Sequence, residues 1–227
     1  MQAARPGMPW PRGFTLIEML VALAGMALLA LLGWRGVDAM SRTIERTRDE
    51  SGRVLALQMG LEQWDADLNA LRSVPGFAPL SWDGAGMRLV RDQVPGHARA
   101  LQVVAWALQG PSEQRQWVRW QSAPLMRRDE LASALQQTAA WVRATDYVPS
   151  DSDVAIAPML RWQVQVYQGG VWVAPLDATG LTGGSASSTP SAASPVAVRL
   201  QAEFPASGFP GGRLVKDWIS AVGRPGP

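Results

Sequence analysis

A single carboxylate lies within the longest apolar run of the chain. Residues 14–34 contain only two polar side chains, Thr15 and Glu18. A carboxylate that leaves water costs free energy unless a cation or hydrogen-bond donors receive it. A plain apolar helix therefore leaves the position of Glu18 unexplained, unless the glutamate is tolerated at the membrane interface.

No set of residues in the sequence matches a known catalytic pattern. His97 is the only histidine, and the chain has no cysteine. Phosphate-cradling loops, paired-histidine motifs and nucleophile elbows are absent from the sequence. The acidic group Asp146, Asp151 and Asp153 is interpreted as a solvated loop, with calcium binding as the alternative. We therefore predict no catalytic residue, no metal site, no cofactor and no enzymatic activity.

The charge distribution argues against nucleic-acid binding, although the sequence pI is about 9.6. Arg5 and Arg12 precede Phe14, and the rest of the chain carries 19 basic and 19 acidic residues. Lys216 is the only lysine, and no basic run could follow a phosphate backbone.

The apolar run is long enough to cross a membrane, since a spanning helix needs about 20 residues. Residues 1–13 are polar, basic and rich in proline and glycine, with Met8 as an alternative start to Met1. Arg12 favours a cytoplasmic N-terminus. A cleaved secretory signal would have a shorter apolar region. A plain membrane anchor fits the length but leaves Glu18 unexplained.

The helix is expected to continue well beyond the apolar run. Residues 35–74 form its amphipathic continuation, and Pro75-Gly76 ends it after about Arg72. Asp65 and Asp67 are assigned to the solvated side of this helix. The apolar face consists of Val54, Leu57, Leu61, Trp64, Leu68 and Leu71.

Residues 75–227 are predicted to form a β-rich globular domain, which gives an α+β fold. Alternating residues predict strands at 100–110, 115–123, 159–167, 171–175, 195–204 and 212–220. We expect an antiparallel sheet with one solvated face. Residues 128–144 favour a short surface helix, and the low-complexity residues 179–195 a flexible loop. Of Trp117 and Trp120, one is expected in the core and the other at a partner surface.

Gly13, Phe14 and Glu18 follow a basic leader and lie at the start of an apolar run. This arrangement resembles the processing motif of type IV pilins and pseudopilins. The resemblance implies cleavage between Gly13 and Phe14 by a prepilin peptidase, followed by N-methylation of Phe14. It also implies that Glu18 serves assembly, by pairing with the Phe14 amine of a neighbouring subunit. A pilin-like fold follows from the same resemblance, with the long helix packed on the sheet domain.

Several later segments resemble the J-type minor pseudopilin of type II secretion: "GWRGVDAMSRTIERTRDES", "LQMGLEQWDADLNAL", "YQGGVWVAP", "PVAVRLQAEF" and "RLVKDWIS". The resemblance implies a structural role in a tip complex that initiates a short pseudopilus. The implied partners are the I and K types, the H type as a further candidate, the major pseudopilin and the assembly platform in the inner membrane. It implies a single-pass inner-membrane protein with a periplasmic domain. Two alternatives stay open: a minor type IV pilin for adhesion, motility or DNA uptake, and a membrane-anchored periplasmic binding module.

Overall fold

The fold is α+β, as predicted, with a long N-terminal helix followed by antiparallel strands. The computed structural model describes residues 14–94, 97–144, 146–175, 194–206 and 211–220. These residues form helices α1 (Leu16–Asn69) and α2 (Arg128–Val142) and strands β1 (Leu80–Trp82), β2 (Gly86–Val94), β3 (His97–Gln109), β4 (Gln116–Gln121), β5 (Asp153–Pro158), β6 (Arg161–Gln168), β7 (Val171–Val173), β8 (Ala197–Phe204) and β9 (Gly212–Ile219). The chain divides into two compact units, Met1–Asp49 and Glu50–Pro227.

The first unit contains the apolar part of α1. Within the described residues, α1 is the one helix long and apolar enough to cross a membrane. Its large apolar side chains are exposed, from Phe14 at 85% to Trp34 at 74%. A continuous apolar surface of this extent needs lipid or other helices to cover it.

The second unit begins with the remaining turns of α1, which contribute one face to the core. Leu57, Trp64 and Leu68 are buried there, as the spacing predicts. The helix ends at Asn69, three residues before the expected position. The chain leaves the helix early because it pairs with β2: the Arg72 amide donates to the Val90 carbonyl at 2.9 Å.

The strands form two antiparallel sheets. The first has the order β1-β2-β3-β4-β5, and the second the order β7-β6-β8-β9. The predicted hairpins β3–β4 and β6–β7 are both present. One solvated face was expected, and this holds for the second sheet, where buried and more exposed residues alternate along β6. It is wrong for the first sheet, whose β2 and β4 have runs of consecutive buried residues.

Two apolar clusters explain why the first sheet is buried on both faces. The larger cluster joins α1 to the inner faces of both sheets. The smaller one packs α2 on the opposite face of β2–β4. Trp117 belongs to the first cluster and Trp120 to the second, and both are buried. The expectation that one of them faces a partner is therefore wrong, since α2 covers Trp120.

Tryptophan rings dominate the larger cluster. The Trp64 ring of α1 lies 5.4 Å from Trp106, 5.9 Å from Trp117 and 6.1 Å from Trp162, measured between ring centroids. Aromatic pairs at these separations add stability beyond the area that they bury. The helix, the first sheet and the second sheet therefore meet at Trp64.

A glycine allows a strand to approach α1 closely. A β-carbon at Gly60 would lie only 2.3 Å from Ile156 Cγ2 of β5. A methyl group attached to the β-carbon of a branched side chain has little room to move aside. Gly60 therefore serves helix–sheet packing, although it lowers the intrinsic helix propensity.

Other predicted elements have mixed outcomes. Helix α2 and strands β8 and β9 lie where the pattern placed them. Strands β1, β2 and β5 were not predicted, because their buried or irregular faces do not alternate. Residues 179–193 of the predicted loop lie outside the described residues.

Candidate functional site

Two of the three predicted processing and assembly residues, Phe14 and Glu18, lie at the start of α1. Gly13 is outside the described residues, so its predicted cleavage role stays a prediction. Phe14 precedes the helix and is exposed. Glu18 occupies the third position of the helix, which begins at Leu16.

Glu18 forms a capping box with Thr15. Its Oε2 accepts hydrogen bonds from the Thr15 amide at 2.9 Å and from Thr15 Oγ1 at 3.0 Å. In return, the Glu18 amide donates to Thr15 Oγ1 at 3.4 Å. This reciprocal arrangement satisfies amides that no helical carbonyl can reach at a helix N-terminus.

The cap gives Glu18 a role within its own subunit that sequence reasoning missed. The spacing Thr-x-x-Glu is the signature of a capping box, so the signal was present in the sequence. Both hydrogen bonds from Thr15 end on Oε2, and no described residue donates to Oε1, which can take a second partner. A carboxylate held in this way can cap its helix and also receive an ammonium group nearby.

A second carboxylate, Asp67, is completely buried where α1 meets the first sheet. Its Oδ1 accepts from Gln63 Nε2 at 2.9 Å, Arg91 Nη1 at 2.5 Å and Arg119 Nη2 at 2.8 Å. Its Oδ2 accepts from Arg119 Nε at 2.8 Å and Trp106 Nε1 at 3.0 Å. The two-point contact with Arg119 is the strongest geometry for an arginine–carboxylate pair.

These bonds correct the expectation that Asp67 lies on a solvated face. Asp67 joins α1 to β2 through Arg91, to β3 through Trp106 and to β4 through Arg119. The two guanidinium groups are themselves nearly buried, with 11% and 8% of their side chains exposed. One carboxylate thus forms ion pairs with two cations in a site from which water is largely excluded.

Two further contacts hold the end of α1 to the second sheet. Asp65 Oδ2 lies 2.8 Å from Lys216 Nζ on β9. Trp218 Nε1 donates to Asn69 Oδ1 at 2.9 Å. Asp65 is partly exposed, as its assignment to the solvated side predicts, and it also forms an ion pair with the second sheet. The last turns of α1 carry polar contacts to both sheets.

The acidic group near β5 is spread over a turn and a strand. Asp146 and Asp151 are exposed, while Asp153 begins β5 and its Oδ2 accepts from the Ser150 amide at 3.1 Å. Burial and the neighbouring Asp153 raise the pKa of Tyr147. Within the described part of the chain, no three histidine, aspartate or glutamate side chains are placed to hold a metal ion.

Comparison with known proteins finds a relative for the N-terminal part of the chain. No protein-family model matches the chain. Over 59 residues at its N-terminal end, the chain is 42% identical to the type II secretion system protein J of Klebsiella pneumoniae. The predicted resemblance to the J type is confirmed over this stretch. The aligned residues span 26% of the chain and 30% of that relative.

Proposed function

We propose that the chain is a minor pseudopilin of type II secretion, a non-enzymatic subunit of the filament that supports protein export across the outer membrane. The observation that carries the proposal is the register of the N-terminal segment. Gly13 and Phe14 precede one continuous helix and Glu18 lies in its first turn, in the region where the chain resembles a type II secretion protein.

The geometry of α1 supports a role in a helical bundle. Its apolar surface is exposed from Phe14 onwards. In a filament, the apolar parts of neighbouring helices cover each other, and the Phe14 amine of one subunit pairs with Glu18 of the next. Glu18 Oε1, which accepts no hydrogen bond from the described part of the chain, suits this second contact.

The location and partners belong to the same proposal. The apolar helix anchors the chain in the inner membrane, and the β-rich unit lies in the periplasm. The chain joins I-type and K-type pseudopilins, with the H type as a further candidate, in a tip complex that starts assembly. The major pseudopilin and the inner-membrane platform extend the filament from it.

Processing provides the first test of the proposal. We expect the mature chain to begin at Phe14 and to carry one methyl group on its amine. Intact-mass measurement of the protein extracted from membranes gives both features at once. Gly13→Ala should abolish cleavage, because a peptidase that reads glycine has no room for a β-carbon.

A matched variant outside the motif controls for expression and insertion. Gly25→Ala adds the same methyl group in α1, where an added β-carbon meets no atom within 4 Å. This variant should be processed like the wild type. A wild-type chain that still begins at Met1 or Met8 would refute the assignment to the pilin class.

A further inference from the structure

A positively charged cleft opens where four segments of the second unit meet. It lies between the β1–β2 turn, the β3–β4 turn, the end of α2 and the start of β6. Its volume is about 550 Å³. Gly84 and Gly110 form the two turns with positive φ values of 86° and 97°, which glycine adopts without strain.

Three arginines line this cleft, and no acidic residue is among the described residues that line it. Arg143 and Arg161 are well exposed, with 62% and 84% of their side chains accessible. Arg115 is exposed in the β3–β4 turn and makes no ion pair with a described residue. The guanidinium groups are therefore available to a ligand.

Nearby carboxylates do not cancel this charge. Asp83 Oδ2 lies 3.5 Å from Arg143 Nη2, but it lies closer, at 3.2 Å, to Nη2 of the buried Arg88. Glu203 Oε2 is 4.0 Å from Arg161 Nε, beyond hydrogen-bond distance. Each carboxylate compensates at most one cation, so the cleft keeps a positive balance.

A trough of mixed polarity adjoins the cleft and shares Gly84, Arg161 and Trp162 with it. Its other charged lining residues are Arg213 and Glu203, and its apolar part is formed by tryptophan, leucine and valine side chains. The trough has a volume of about 500 Å³. The Trp82 and Trp162 rings meet there edge to face, with centroids 4.7 Å apart. Leu214 of the edge strand β9 lines the same trough. A ligand of matching shape would place carboxylates in the cleft and an apolar side chain in the trough.

We propose that the cleft and trough bind an acidic, extended peptide segment of a partner protein. Arg115 and Arg161 receive its carboxylates in charge-assisted hydrogen bonds, and the apolar side chain packs against Leu214 and the trough-facing edges of the tryptophan pair. A free phosphate fills only a small part of the combined volume and has no apolar group for the trough. The proposal does not depend on the role in secretion.

Fluorescence anisotropy of a labelled peptide tests the proposal on the full chain in non-ionic detergent. The probe has the sequence Ser-Gly-Glu-Leu-Glu-Gly-Ser, and its control replaces both glutamates by lysine. We expect saturable binding of the acidic peptide only. The double variant Arg115→Gln/Arg161→Gln should weaken binding by about tenfold. Arg53→Gln, an exposed arginine of α1 outside the cleft, should change it by about twofold or less.

Each outcome decides for or against the proposal. Equal binding of both peptides, or equal loss with Arg53→Gln, would show non-specific attraction and overturn it. Unchanged affinity in the double variant would exclude the cleft. Displacement of the peptide by an equal concentration of inorganic phosphate would identify a small-anion site instead. Circular dichroism of each variant confirms the fold, since both arginines project into solvent.

Discussion

Asp67→Asn should destabilise the second unit by about 3–5 kcal/mol, the usual cost of removing one partner from a buried ion pair. The substitution keeps the size of the side chain but removes its charge. Arg91 and Arg119 would then remain buried with no carboxylate between them. Asparagine also turns one acceptor into a donor, which would face the guanidinium groups.

Tryptophan fluorescence during urea unfolding of the full chain in detergent measures this effect. Trp106 reports directly on the site, because its indole nitrogen donates to Asp67. Asp65→Asn is the matched control, two residues away on the same helix. Its ion pair with Lys216 is partly exposed, so we expect a loss of about 1 kcal/mol or less. Equal effects of the two substitutions would contradict the account of the buried cluster.

Glu18→Ala should leave membrane insertion and cleavage largely intact while export of cargo falls by about tenfold or more. Insertion depends on the apolar run and improves when a charge is removed. In the proposed filament, the Phe14 amine needs an anionic partner, and alanine offers none. Both measurements use cells that lack the native gene. Processing is followed by the intact mass of the variant, and export by the amount of cargo protein in the medium.

Glu18→Gln separates the two roles of this residue. Glutamine keeps an oxygen that can accept the Thr15 hydrogen bonds, but it carries no charge. If charge pairing drives assembly, export should fall as much as with alanine. Normal export with glutamine would show that Glu18 serves only as a helix cap. Loss of cleavage with either variant would show that the peptidase recognises Glu18.

The periodic parts of the fold could be predicted from the sequence. The apolar face of α1, the helix α2 and the hairpins β3–β4 and β6–β7 follow from spacing and turn residues, since each repeats a simple pattern. Strands β1 and β2 lack that pattern because both of their faces are buried. The split into two sheets, and the cover that α2 gives to Trp120, depend on tertiary packing that no local pattern encodes.

The buried ion cluster shows where sequence reasoning failed and why. Asp67 lies three residues after Trp64 and seven after Gly60, which places it on the buried face of α1. The charge of an aspartate favours solvent, and this preference of the residue type conflicts with its position on the helix. Its partners Arg91 and Arg119 lie 24 and 52 residues away in the chain. Only the strand order brings them together, and the same holds for the arginines of the cleft.

Export in cells deleted for this gene tests the pseudopilin proposal most directly. The proteins of the culture medium and of the periplasm are compared by mass spectrometry with and without the wild-type gene. The account predicts that a set of exported proteins moves from the medium to the periplasm on deletion. The wild-type gene should restore their export, and the Gly13→Ala variant should not. An unchanged medium, together with lost surface pili, motility or DNA uptake, would contradict the account and identify a type IV pilin instead.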